Sequence, residues 1–150
     1  MLLSQLLTPQ RIRVPLLAAD KPAALHALVA VVADDEAEAD DLYAAIEERE
    51  AVLSTGIGHG VAIPHGRSAR VGSLLVSAGV LPAAIEFGSL DGLPVRLLFL
   101  LVGPESEAGL HVKALSRITR LVRQPLVRER LLATTSGEQF HKILREAEGV

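Results

Sequence analysis

A chain of 150 residues with 49% hydrophobic and 22% charged residues has the makings of one soluble globular domain spanning 1–150, and it excludes a disordered chain. A formal charge of −3 argues against the basic face that a nucleic-acid partner needs, and the apolar run Leu97–Val102 is far too short to span a membrane. Cysteine is absent, which removes disulfides, thiolate catalysis and cysteine-based metal or iron–sulfur sites; with no secretory pattern at the amino terminus, a cytoplasmic protein is expected.

The elements alternate in type along the chain. Arg11 to Leu16 places Ile12, Val14 and Leu16 on one side with a strand period, and Pro15 demotes that strand towards a sheet edge. Asp20 is an expected N-cap with Pro22 in the first turn, and Leu25, Leu28, Val29 and Val32 then form one buried helical stripe. The run Asp34-Asp35-Glu36 is expected to close that helix. A second helix is expected from about Asp40 to Leu53, with Leu42, Ala45, Ile46, Val52 and Leu53 on its apolar face. Arg49 falls on the same face, whereas Glu47, Glu48 and Glu50 are placed on the flanks or outside.

Between Ser54 and Arg67, four glycines and Pro64 exclude helix and predict a turn, a short strand Val61–Ile63 and another turn. Gly72 to Leu81 reads as a buried strand. Leu90-Asp91-Gly92 turns the chain into the strongest strand, Val95–Val102, whose unbroken apolar character predicts helices over both faces. After a polar loop from Glu105 to Gly109, a helix carries His111, Leu115, Ile118 and Val122 on one face, and Pro125 stops or restarts it. Ser136 with Gln139 is a capping-box signature for a last helix that buries Phe140, Ile143 and Leu144. The expected fold class is therefore a single α/β domain, a mixed central β-sheet covered by helices on both faces.

Gly56-Ile57-Gly58-His59-Gly60 invites comparison with phosphate-binding loops, but it leads into Val61-Ala62-Ile63-Pro64, a strand, and not into the helix such a loop requires. Of five histidines, His26 and His141 lie on helices and read as surface or satisfied residues. His65 is different. It follows Ile63-Pro64 at a strand end and precedes Gly66, so the ring is presented where open α/β sheets place their sites. On these features alone a structural role and a functional one both stand. The same holds for Arg49, which either pairs with a local carboxylate or keeps its guanidinium for an anionic partner.

The segment Ser54-Thr55-Gly56-Ile57-Gly58-His59-Gly60-Val61-Ala62-Ile63-Pro64-His65-Gly66 resembles the active-site segment of phosphotransferase-system (PTS) enzyme IIA domains of the mannitol/fructose type, a group that includes nitrogen-regulatory enzyme IIA proteins. Arg49-Glu50, Ile85-Glu86-Phe87 with Leu90–Val95, and Leu110–Leu115 extend the resemblance over nearly the whole chain. One departure is His59, where the family often has asparagine. The resemblance implies that His65 is the phosphorylated nucleophile, and that Arg49 and His111 stabilise the phosphoryl group. It further implies that Thr55 orients a ring and that Arg67 lies on a partner-facing rim. The implied partners are HPr or its nitrogen-branch counterpart and an enzyme IIB domain, with sugar uptake or regulation as the role. A histidine relay needs no bound nucleotide, so no cofactor is expected. A metal site built from His59, His65 and His111 is disfavoured, because no carboxylate joins them and the metal would occupy the nucleophile.

Overall fold

A computed structural model describes residues 1–150. Six helices and six strands follow in the order α1 (Leu3–Leu6), β1 (Ile12–Arg13), α2 (Lys21–Val32), α3 (Glu36–Val52), β2 (Gly56–Gly58), β3 (Val61–Ala62), β4 (His65–Arg67), β5 (Leu75–Ile85), β6 (Val95–Gly103), α4 (Ala108–Val122), α5 (Pro125–Leu132) and α6 (Gly137–Ala147). One mixed sheet runs β1-β5-β6-β3-β2, and β4 pairs with β6 beyond the end of β3. β5 and β6 are antiparallel, whereas β1 runs parallel to β5 and both β3 and β4 run parallel to β6.

β6 lies inside the sheet because almost nothing along it is polar. Leu97, Phe99 and Leu101 pack on one side with residues of α1, α4, α5 and α6, while Leu98, Leu100 and Val102 pack on the other with α2 and α3. Two cores, one on each face, follow from strict alternation along a doubly covered strand. The expected mixed sheet with helices on both faces is what the chain adopts. Ser77 is buried in β5 without cost, since its hydroxyl donates to the Leu28 carbonyl of α2 at 2.9 Å.

Several boundaries differ from the sequence reading. Only Ile12 and Arg13 of the first segment pair, after a 3₁₀ turn at Pro9–Arg11, and the strand is at the edge of the sheet as Pro15 suggested. Asp35 does not end α2; its carboxylate accepts from the Glu38 amide at 2.8 Å and starts α3, four residues earlier than expected. At the other end, Val52 and Leu53 are exposed, not part of the apolar face, and Glu50 is buried instead. The strand expected at Gly72–Leu81 begins at Leu75 and continues to Ile85, and α4 begins at Ala108, inside the stretch read as a loop. The caps at Asp20 and Ser136 form as expected, on the amides of Ala23 and Gln139. His26 stacks on Tyr43 and His141 contacts the Ser4 carbonyl at 2.8 Å, so both are satisfied away from the site described below.

The termini are closed by Glu148. Its carboxylate is fully buried and accepts from the amides of Leu3 and Ser4 at 2.8 and 2.9 Å and from Arg117 Nε at 2.6 Å. Burial pushes this carboxyl up, but the Ser4 amide, the Arg117 guanidinium and the Leu3 amide together hold it below the ordinary carboxylate range. A lowered folded-state pKa contributes stability that is present above the unfolded value of about 4.3 and is lost as pH falls through the folded value. Glu148→Gln is therefore expected to cost about 2–3 kcal/mol at pH 7. Urea midpoints should show the gap between variant and parent closing in acid.

Candidate functional site

β3 and β4 are one extended stretch interrupted at Pro64, which lacks an amide proton to give the sheet. The Pro64 carbonyl still accepts from the Leu101 amide at 3.0 Å, and His65 then pairs opposite Leu101. Alternation sends His65 to the face that carries α4 and Gly66 to the face that carries α3. A Cβ on Gly66 would stand 3.1 Å from the Ala45 carbonyl oxygen, so any larger residue would push α3 off β4 by a few tenths of an ångström. Arg49 sits one turn beyond Ala45 and is thereby brought to the histidine.

An open cleft of about 550 Å³ lies between the two helices, along β4. α3 supplies Ala45, Glu48, Arg49 and Val52; β4 supplies His65 and Arg67; α4 supplies His111, Val112 and Leu115; Glu105 completes the wall. The structure thus brings His65, His111, Arg49 and Arg67 together. The ring centroids of His65 and His111 are 5.6 Å apart and nearly perpendicular. Arg49 Nη1 donates to the Leu53 carbonyl at 2.8 Å, closing the end of α3, with further N–H groups of the fork uncommitted. Arg67 forms an exposed ion pair with Glu105 at 2.9 Å.

The two imidazoles are held differently. His65 Nδ1 lies 2.8 Å from the Ile63 carbonyl oxygen, which can only accept, so that nitrogen carries the proton and Nε2 keeps its lone pair. Burial pushes the His65 pKa down; the Ile63 hydrogen bond opposes this and the Arg49 charge adds to it. His111 is almost fully buried, and its Nδ1 has no hydrogen-bond partner. Burial first, then the charges of Arg67 and His65, lower its pKa to about 4. Both rings are neutral at pH 7. An orphaned lone pair costs less than an orphaned N–H, so the His111 proton belongs on Nε2. NMR titration is expected to show His111 charging near pH 4 and His65 below 6.5. An ordinary midpoint for His111 would mean that water reaches its ring freely.

Thr55 does not meet a ring. Its hydroxyl and amide both go to the buried carboxylate of Glu50, the amide at 2.9 Å from each oxygen. Sequence reasoning missed Glu50, although it stands four residues after Ile46 and eight after Leu42, on the buried line of α3. His59 lies apart from the cleft, with φ of +58° and its amide on Asp91 Oδ2 at 3.1 Å. Histidine is among the few residues other than glycine that adopt this left-handed conformation readily. No group of three His, Asp or Glu side chains is arranged to hold a metal ion, and no helix is long and apolar enough to cross a membrane.

A lone-pair imidazole thus faces an open cleft, beside a second neutral ring and two guanidiniums. Residues 5–147 match the family model of the phosphoenolpyruvate-dependent sugar phosphotransferase system, EIIA 2. The nitrogen regulatory protein of Bradyrhizobium diazoefficiens is 33% identical over 95% of this chain and 94% of its own. The fructose-specific EIIABC component of Bacillus subtilis is 32% identical over 97% of this chain, which spans 23% of that longer protein. The crystal structure of nitrogen regulatory protein IIA-Ntr from Neisseria meningitidis superimposes with a TM-score of 0.88 at 30% identity, covering 94% of this chain and 97% of that one. This chain belongs to the EIIA 2 family, whose members are phosphotransfer components of that system.

Proposed function

We propose that the chain is a phosphoryl carrier whose acceptor is Nε2 of His65. The observation that carries this is the Nδ1 contact to Ile63, which leaves Nε2 as a nucleophile at the wall of the cleft, next to Arg49. The donor would be the phosphohistidine of HPr or of a nitrogen-branch counterpart. As the His65 lone pair forms the new N–P bond, the donor's N–P bond breaks and its electron pair stays with the donor imidazole. Charge spread over the equatorial oxygens meets Arg49 and the Nε2–H of His111. A neutral His111 suits that role, since it donates a hydrogen bond without titrating near pH 7. Arg67, on the exposed rim, would meet the partner.

The onward acceptor in sugar uptake would be a cysteine of an enzyme IIB domain, as the EIIABC arrangement of the fructose-specific relative suggests. A regulatory role, in which the phosphorylation state governs partner binding in the cytoplasm, is favoured by the likeness to nitrogen regulatory proteins along nearly their whole length. Incubation with phosphoenolpyruvate, enzyme I and HPr, followed by intact mass measurement without acid, is expected to show one added phosphoryl group. No mass gain with either form of HPr would refute the carrier reading. Adding enzyme IIB then separates the roles: discharge supports uptake, retention supports regulation.

A further inference from the structure

Lys21 opens α2, where a cation is opposed by the helix dipole. Its ammonium nevertheless lies 3.1 Å from Glu50 Oε2, donates to the Phe87 carbonyl at 3.0 Å and stands over the Phe87 ring at 4.3 Å. The Glu50 side chain is only 5% exposed. A carboxylate buried to that degree is costly unless fully paired, and this one is paired on both sides, by Lys21 and by the amide and hydroxyl of Thr55. From Thr55 the connection continues through backbone. The Thr55 carbonyl accepts from the Ile63 amide at 3.0 Å, and the Ile63 carbonyl takes the Nδ1 proton of His65 at 2.8 Å. Glu50 is also the chain neighbour of Arg49 on the last turn of α3.

We propose that Glu50 is a positioning residue: its carboxylate, clamped between Lys21 and Thr55, locks the last turn of α3 to the segment that holds the His65 ring, and so fixes Nε2 relative to Arg49. The proposal rests on His65 being the phosphoryl acceptor. Glu50 does not line the cleft, so it acts on geometry and on the field at the ring. Its charge favours the protonated ring, whereas Arg49 from α3 and Arg67 from β4 oppose it. Glu48, Glu105 and His111 are the other ionisable groups around the cleft.

Glu50→Gln is expected to slow transfer from phosphorylated HPr by about 10- to 100-fold, the range typical of lost supporting contacts, with the donor concentration at half-maximal rate unchanged. Losing the negative charge should also move the His65 NMR titration further down. Lys21→Met combined with Glu50→Gln, which leaves no unpaired charge, should fold and remain slow. Thr55→Val should be slow as well, and Thr55→Ser should recover most of the rate. A Glu50→Gln rate within twofold of the parent with the His65 titration unmoved would overturn the proposal. If Glu50→Gln does not fold, a Thr55→Val protein as fast as the parent overturns it equally. The titration and tautomer of His65, read from ring ¹⁵N couplings, need no partner. A parent that takes no phosphate would therefore refute the carrier reading, while these two readouts still decide whether Glu50 holds the ring.

Discussion

Replacing His65 by alanine is expected to abolish phosphoryl acceptance while the protein keeps its fold. Only the ring takes part in the site. The backbone of β4 pairs with β6 through residues that alanine leaves unchanged, opposite Leu101 and Val102. The one bond lost is that to the Ile63 carbonyl, worth about 1 kcal/mol. His111 cannot substitute, since it is buried on α4 with its Nε2 carrying the proton. Intact mass after incubation with the phosphorylating system should show no added group on the variant, and circular dichroism should match the parent. Undiminished acid-labile phosphate would place the acceptor elsewhere.

Arg49→Lys is expected to fold normally and to transfer more slowly by about 2–4 kcal/mol of transition-state stabilisation, by analogy with the loss of one oxyanion-hole donor. The guanidinium does two things at once. Nη1 closes α3 on the Leu53 carbonyl, and the remaining donors stand in the cleft beside His65. Lysine keeps the charge, but a single ammonium cannot hold the helix end and address a planar set of oxygens together. Rapid-quench measurement with phosphorylated HPr tests this, and a rate within twofold of the parent would reduce Arg49 to a helix cap.

The fold and much of the site were legible where the cause is local. The cap at Asp20, the capping box at Ser136 and the apolar run of β6 each announce themselves within a few residues, and each forms. Arg49 could be brought towards His65 because the helix leads straight into the segment that carries the histidine. What escaped was set by distant partners. Glu50 is buried because Lys21, far back in the chain, neutralises it. The Thr55 hydroxyl was assigned to a ring, yet that buried carboxylate claims it. Asp35 belongs to an acidic run that reads equally as the end of one helix or the start of the next, and only the Glu38 amide decides. Val52 and Leu53 fit the helical period but stand exposed at the very end of α3. Glu148 and the amides it caps stand at opposite ends of the sequence, beyond the reach of any periodicity.

The interruption at Pro64 has a kinetic consequence. Because sheet bonds resume on both sides of it, the His65 backbone is tied to β6 from Val61 through Arg67. On the proposed carrier reading, the acceptor nitrogen therefore rides on backbone already fixed to the central strand. Turnover should then be paced by how often partners meet the cleft and how soon they leave it, not by an internal rearrangement. Single-turnover rates should climb in proportion to donor concentration below the half-maximal point. They should also fall with added viscogen, as a diffusional encounter does.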